Sequence, residues 1–325
     1  MTNAIRLKSP GGPEQLEYGV VDVPPPAPGE IQIRQTAIGI NFIDIYQRMG
    51  LYPLPPAAIP GVEAVGVVSA LGANVASWQI GDRIAYAGAP VGAYASARNL
   101  PAWRAVKLPM ALTDEQVASV FVKGITAHML LTRVYPVVRG TTILIRSAAG
   151  GLGQLMVRWA RHLDATVIGT VGSDGKAAIA RAAGAHHVIV GRDADFVGSV
   201  ADLTGGRGVD VAYDGVGGTM LARTLGCVRP FGVVASIGQA AGPIPPIDVE
   251  NLGPRRSLML ARPSVMAYMN EADDYLTAAN AVLSLIAEGV LFSQGTPHRL
   301  SAAARAHSDL EEGRTSGSLY LVPED

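Results

Sequence analysis

The stretch Ile143-Leu144-Ile145-Arg146-Ser147-Ala148-Ala149-Gly150-Gly151-Leu152-Gly153 decides the fold. An apolar run of strand type leads straight into a glycine-rich turn. Read at the spacing G-x-G-x-x-G, it offers Ala148, Gly150 and Gly153, with alanine in the first place. Gly150 lets backbone approach a pyrophosphate closely, and Gly153 lets a helix pack tightly on its strand. The helix N-terminus that opens here presents free N–H groups and positive dipole to phosphate. A glycine-rich turn opens many helices, so its context carries the reading: a strand before, a helix after, and further strand–helix units beyond.

Those units follow in order. Strands are expected at 142–146, 165–171, 187–190, 209–213, 232–237 and 257–261, with helices after the glycine turn to His162 and over 176–183. Alternation at this pitch predicts an α/β domain, a doubly wound parallel sheet of six strands covered on both faces. Upstream the texture is β-rich. Short apolar stretches at 31–34, 65–70, 83–87 and 104–108 are separated by turn signals such as Pro24-Pro25-Pro26 and Gly81-Asp82, which predicts a compact barrel-like domain. Thr113-Asp114-Glu115-Gln116 reads as a helix start. Beyond Arg262 only helices at 274–288 and 302–312 and a strand at 318–322 remain, too few for a third domain. They are assigned back to the first, which gives segments 1–121, 122–261 and 262–325.

Composition bounds the function. The 325 residues carry 26 Lys and Arg against 27 Asp and Glu, a net charge of −1, which argues against a general nucleic-acid binder. A 49% hydrophobic share excludes a disordered chain. One cysteine, Cys227, excludes an internal disulfide and any cysteine-rich metal or cluster site. It is placed in an apolar helix between Leu225 and Val228, as a buried inert thiol. No secretory signal or membrane span is read, since the apolar windows are broken by Gly, Pro or charge. The expected compartment is the cytoplasm.

Cofactor choice is read where the second strand ends. An NAD site places an acid there for the ribose hydroxyl. Here the chain runs Gly169-Thr170-Val171-Gly172-Ser173, with Lys176 and Arg192 following. A small hydroxyl plus cations suits a 2′-phosphate, hence NADPH. The alternative is that both cations are solvated surface charges.

Further motifs carry a resemblance: Gly11-Gly12-Pro13-Glu14, Gly39-Ile40-Asn41-Phe42-Ile43-Asp44, Tyr46, Gly50-Leu51-Tyr52-Pro53, Gly81-Asp82-Arg83, Gly92-Ala93-Tyr94, Lys123-Gly124-Ile125-Thr126, Tyr213-Asp214-Gly215-Val216-Gly217 and Arg262-Pro263-Ser264. Over nearly its whole length the chain resembles the zinc-independent quinone oxidoreductase (zeta-crystallin-like) branch of the medium-chain dehydrogenase/reductase superfamily. The resemblance implies a GroES-like catalytic domain built from both chain ends, an inserted Rossmann domain, and NADPH-dependent reduction of quinones. It also implies a homodimer that pairs edge strands at 257–261. Zinc-dependent members carry Cys and His at the positions of Asn41 and Val62, and four more Cys in the region 83–95. Here those ligands are missing, and Glu63 alone does not make a metal site.

The resemblance assigns catalytic roles to Asn41, Tyr46 and Tyr52, which would line the pocket of a flat acceptor. Asn41 both donates and accepts hydrogen bonds, and a tyrosine stacks on a ring and donates to its oxygen. The bland alternative for Tyr46 is a structural aromatic in a half-buried loop. Cofactor contacts fall to Asn41, Lys123, Thr126, Ala148, Gly150, Gly151, Leu152, Gly153, Ser173, Lys176, Arg192, Gly215, Val216, Ile237, Gly238 and Arg314, the last one place later than the family position. Asp214 is either a contact or a turn residue. Two departures stand out: Gly191 and His128 occupy places where many relatives carry Tyr. Two other functions stay open: an NADPH-dependent enone or enal reductase, and a non-catalytic NADPH- or RNA-binding protein.

Overall fold

The computed structural model describes residues 2–254, 256–315 and 317–324. The chain opens with β1 (Thr2–Leu7), β2 (Leu16–Val21) and β3 (Glu30–Ile40), then helix α1 (Phe42–Arg48). Strands β4 (Glu63–Leu71), β5 (Arg83–Ala87), β6 (Ala97–Pro101) and β7 (Val106–Lys107) follow, then α2 (Asp114–His128), which runs on as a π-helical turn over Met129–Val134. Next come β8 (Thr142–Arg146), α3 (Gly151–His162), β9 (Thr166–Val171), α4 (Asp174–Ala182), β10 (His187–Val190) and α5 (Phe196–Leu203). After them lie β11 (Val209–Asp214), α6 (Met220–Leu225), β12 (Val228–Ser236) and β13 (Met259–Ala261). The return consists of α7 (Val265–Tyr268), α8 (Ala272–Ala287), β14 (Gly295–Arg299), α9 (Ala303–Glu311) and β15 (Ser318–Val322).

Two compact units result, one of Met1–Ile125 with Met266–Asp325, the other of Thr126–Val265. In the first, β14, β15, β3, β4, β5 and β7 form a curved sheet, with β6 also on β3. Alternation along β3 sends Ile31, Ile33, Ile38 and Ile40 into a core shared with Tyr86, Leu100, Leu300 and Leu321. The return thus contributes two strands, β14 and β15, and core side chains to the body that the first third of the chain begins. Pro297 is tolerated in β14 because that strand lies at the sheet edge.

The second unit is a six-stranded sheet in the order β10-β9-β8-β11-β12-β13, parallel throughout. From β8 the chain winds outward to β10, then restarts at β11 on the other side, so the switch point lies between β8 and β11. Leu144, Ile168, Val209, Val234 and Leu221 form its core.

Some local expectations need correcting. The stretch 104–108 is mostly not strand: Ala102–Arg104 is a single 3-10 turn and only Val106–Lys107 pairs. Cys227 lies in the turn between α6 and β12 rather than in a helix, buried, with its thiol pushed up to about 12 by desolvation. Tyr46 sits on α1, not in a loop. Asp114–Val134 is long and apolar enough to cross a membrane, yet 67% of that window is buried within the fold, as in the core helix of a globular body.

Candidate active site

In the second unit every strand of the parallel sheet ends on the same side, and the loops there converge. Ser147 follows β8 with φ 62°, a left-handed conformation that non-glycine residues seldom adopt and that clusters at functional turns. Gly150 then caps α3 without any side-chain hydrogen bond. The first N–H groups of a helix have no intrahelical partner, so this end is built to meet an anion. A side chain at Gly153 would collide with the carbonyl oxygen of Ser147 and the backbone of Ala148. Glycine is required there by packing, while at Gly150 an added carbon would lie 3.3 Å from the Ser147 oxygen. Leu152 and Gly151 complete the turn, half-buried, and Ala148 is buried beneath it.

Arg146 braces this edge from below. It is 7% exposed, and its Nε donates to Thr170 Oγ1 at 3.0 Å while Nη1 donates to Thr224 Oγ1 at 2.9 Å. Its guanidinium lies over the Phe196 ring, 3.9 Å from the centroid. Asp214, fully buried, accepts from Thr224 through Oδ2, and its Oδ1 accepts from the N–H groups of Val216 and Gly217 at 2.8 and 2.9 Å. Asp214 is therefore the residue that folds the Gly215–Gly217 turn. That turn meets the next one: Ile237 N–H donates to the Asp214 carbonyl at 2.8 Å, and a side chain at Gly238 would press on Gly215.

At the end of β9, Ser173 caps α4, Lys176 is exposed one turn on, and the Arg192 side chain runs alongside Gly172. The end of β9 thus carries the Ser173 hydroxyl and the neighbouring Arg192 cation, with Lys176 in the first turn of α4 and no carboxylate before Asp174. Gly191 has φ 118°, which favours glycine and explains why a tyrosine is not accommodated there with this backbone. His128 packs against Trp159, with ring centroids 5.6 Å apart, as a structural histidine does. Thr126, on α2, is half-buried.

In the first unit a second polar centre forms where β3 ends and α1 begins. Asn41 N–H donates to Asp44 Oδ2 at 2.8 Å, and Asn41 Nδ2 donates to Glu63 Oε1 at 2.8 Å. Glu63 Oε2 accepts from Val122 N–H, and Lys123 Nζ donates to the Ile40 carbonyl at 3.1 Å. Asp44 and Glu63 are both buried. Desolvation pushes Asp44 up to about 7 and also raises Glu63, although the Lys123 ammonium opposes both shifts. Burial lowers Lys123 in turn, against the pull of the two carboxylates. On the outer side Tyr46 meets Tyr52 edge to face at 5.8 Å, and Phe42 lies 6.2 Å from Tyr46. Tyr52 and Phe42 are 42% and 39% exposed, so the cluster presents aromatic surface. Arg314 is tied to Asp309 at 2.9 Å and to Glu312.

Residues 27–110 match the alcohol dehydrogenase GroES-like domain, and residues 151–284 the zinc-binding dehydrogenase domain. The quinone oxidoreductase of Salmonella typhimurium is 41% identical, over 99% of this chain and 100% of its own length. The chain belongs to the quinone oxidoreductase family. The 2-haloacrylate reductase of a Burkholderia species is 40% identical over the full length of both chains. The crystal structure of Escherichia coli quinone oxidoreductase complexed with NADPH superposes with a TM-score of 0.94 at 39% identity, covering 99% of this chain and 100% of that one.

Within this family fold the residues at the zinc positions do not fit the metal. Val62 is hydrocarbon, the amide of Asn41 is committed to Glu63, and among the described residues no three His, Cys, Asp or Glu side chains converge. Asp44 and Glu63 were not among the expected site residues. Their signal was present in the sequence: a carboxylate within the apolar stretch Val62-Glu63-Ala64-Val65 is seldom buried unless partnered.

Proposed function

We propose that this protein is an NADPH-dependent quinone reductase. The observation that carries the reading is the pairing of two features: an uncapped α3 N-terminus beside the Ser173, Lys176 and Arg192 cluster, and a separate centre of Asn41 with Tyr46 and Tyr52. The glycine turn fits a pyrophosphate, since only backbone stands at Gly150, and the cationic loop fits a 2′-phosphate. A bound NADPH supplies a hydride. Asn41 and the tyrosines orient a flat acceptor whose conjugated system spreads the incoming charge, so no metal is required to polarise it. The E. coli relative, crystallised with NADPH, supports the cofactor choice.

The acceptor reading has one rival, reduction of an activated alkene, favoured by the identity to 2-haloacrylate reductase. The test is NADPH consumption by the purified protein with a panel of quinones and of enones and 2-haloacrylates. Turnover with quinones at low enzyme concentration is the expected result. Turnover confined to alkenes would replace the main reading, and absence of turnover with either would overturn both. We further propose a cytoplasmic homodimer. β13 lies at the sheet edge with Met259 52% exposed and Leu260 37% exposed, and an unpaired edge of this kind suits a second copy. Lysines at both positions are expected to halve the mass seen by light scattering.

A further inference from the structure

Behind Asn41 runs a buried file of polar groups that the nucleotide and acceptor roles do not use. Arg48, at the end of α1, is 1% exposed. It forms a two-pronged pair with Glu311 on α9, both distances 2.8 Å, and its Nε donates to the Gly11 carbonyl. Its Nη1 also lies 3.4 Å from His307 Nδ1. Arginine has donors only, so His307 Nδ1 is the acceptor. Burial and the Arg48 charge hold His307 down at about 3, so the ring is neutral and its single proton is on Nε2. That nitrogen lies 2.9 Å from the Tyr94 hydroxyl, which leaves the phenolic proton for Asp44 Oδ2 at 3.1 Å. Asp44 closes the file by accepting the Asn41 N–H. From Arg48 through His307 and Tyr94 the donors therefore all point toward the Asp44 carboxyl, which Asn41 meets from the other side. His307, Tyr94 and Asp44 are all 0% exposed.

Burying so many polar groups is costly unless they are paired and ordered; Arg48, His307, Tyr94 and Asp44 Oδ2 are paired, and only Asp44 Oδ1 has no partner among the described residues. Here the order ends on the one residue that begins α1, the helix carrying Tyr46. We propose that His307 and Tyr94 are positioning residues for the reduction: through Asp44 they fix the backbone at Asn41, and with it the aim of Asn41 and Tyr46 at the acceptor. The proposal rests on the reading of Asn41 and Tyr46 as acceptor-facing groups. It assigns a role in turnover to α9, which supplies none of the acceptor-facing groups. The ionisable groups that act on Asp44 are Tyr94, Glu63 on β4 and Lys123 on α2, and the Tyr94 hydrogen bond favours the carboxylate.

The test compares Tyr94→Phe, His307→Leu and His307→Gln in full-length protein, with quinone-dependent NADPH oxidation measured from acid to alkaline pH and thermal melting as the control for folding. Glutamine can accept from Arg48 with one end and donate to Tyr94 with the other, as the histidine does. Tyr94→Phe and His307→Leu are expected to lose about ten-fold in kcat/KM for the quinone, the scale of one lost hydrogen bond to a charged group, with KM for NADPH within about two-fold of wild type. The acid limb of the profile should also move to higher pH, because Asp44 loses a donor that favours its charged form. His307→Gln should restore both. A folded Tyr94→Phe protein with wild-type kcat/KM and an unmoved pH limb overturns the proposal. So does a His307→Gln protein as impaired as His307→Leu. A wild type that oxidises no NADPH with any quinone overturns the functional reading itself, and the positioning role with it.

Discussion

The side-chain amide of Asn41 donates to Glu63 at 2.8 Å, and Glu63 is only 1% exposed. A buried carboxylate fixes which end of the amide faces it, since only the nitrogen end can donate. Asn41→Ala would leave Glu63 with the Val122 N–H and the Lys123 charge alone. The expected stability loss is about 1–3 kcal/mol, read by urea unfolding, with loss of quinone turnover. Asn41→Asp should be worse, because two adjacent carboxylates cannot both stay charged. Equal stability of wild type and both variants would show that the bond contributes nothing.

Asp44 and His307 act on stability in opposite senses. Asp44 titrates at about 7 in the fold, above its ordinary 3.8, so the folded state holds the extra proton between those values and loses stability as pH rises through them. His307 titrates at about 3, below its ordinary 6.5, so the unfolded state holds the extra proton and the fold gains stability as pH rises. The two slopes oppose one another between roughly pH 4 and 6.5. Relative to wild type, His307→Gln should unfold more easily as pH is raised across that window, and Asp44→Asn less easily. Denaturant unfolding at both ends of the window reads the sign directly, and two variants with the same slope would contradict the assignment.

The two glycines of the turn before α3 should separate folding from binding. At Gly153 a methyl group meets backbone that cannot move, so Gly153→Ala is expected to cost about 1–3 kcal/mol as an overpacked contact. At Gly150 the nearest atom is 3.3 Å away, so Gly150→Ala should fold normally. Its NADPH affinity should nonetheless fall about ten-fold, or roughly 1.4 kcal/mol, because the methyl occupies the phosphate side. Melting temperature and NADPH titration of the pair check this, and a Gly150→Ala protein with undiminished affinity would count against the pyrophosphate reading.

Lys176 and Arg192 should matter for one cofactor and not the other. Replacing either by alanine is expected to raise KM for NADPH by about ten-fold, the scale of one charge-assisted bond, and to leave KM for NADH nearly unchanged. A uniform rise for both nucleotides would point to a general loss of loop order.

The nucleotide-binding body was legible because its order follows from local chemistry. Apolar strands of 5 or 6 residues at β8, β9 and β11 alternate with helices, and a parallel sheet leaves few other solutions. In the first body, β1 and β14 were missed, since Thr2-Asn3-Ala4-Ile5-Arg6-Leu7 and Gly295-Thr296-Pro297-His298-Arg299 mix polar with apolar residues and gain their strand character from the strands they pair with, β2 and β15. The same cause hid the buried file behind Asn41. Asn41, Tyr46 and Tyr52 are close in sequence and were named. His307 reaches Tyr94 across 213 positions, and no local pattern announces such a pairing. Cys227 was misplaced because apolar neighbours on both sides look helical, whereas α6 ends at Leu225.

The pairing of β15 with β3 orders events during synthesis. The nucleotide-binding body is one uninterrupted stretch and can collapse as soon as residues near 265 leave the ribosome. The other body has to wait, its sheet open at β3, until residues near 320 arrive to close it and α9 delivers His307. A chain stalled between those points would hold one folded body and, in the other, an exposed strand edge, which makes that interval the one in which the nascent protein is most open to wrong pairing.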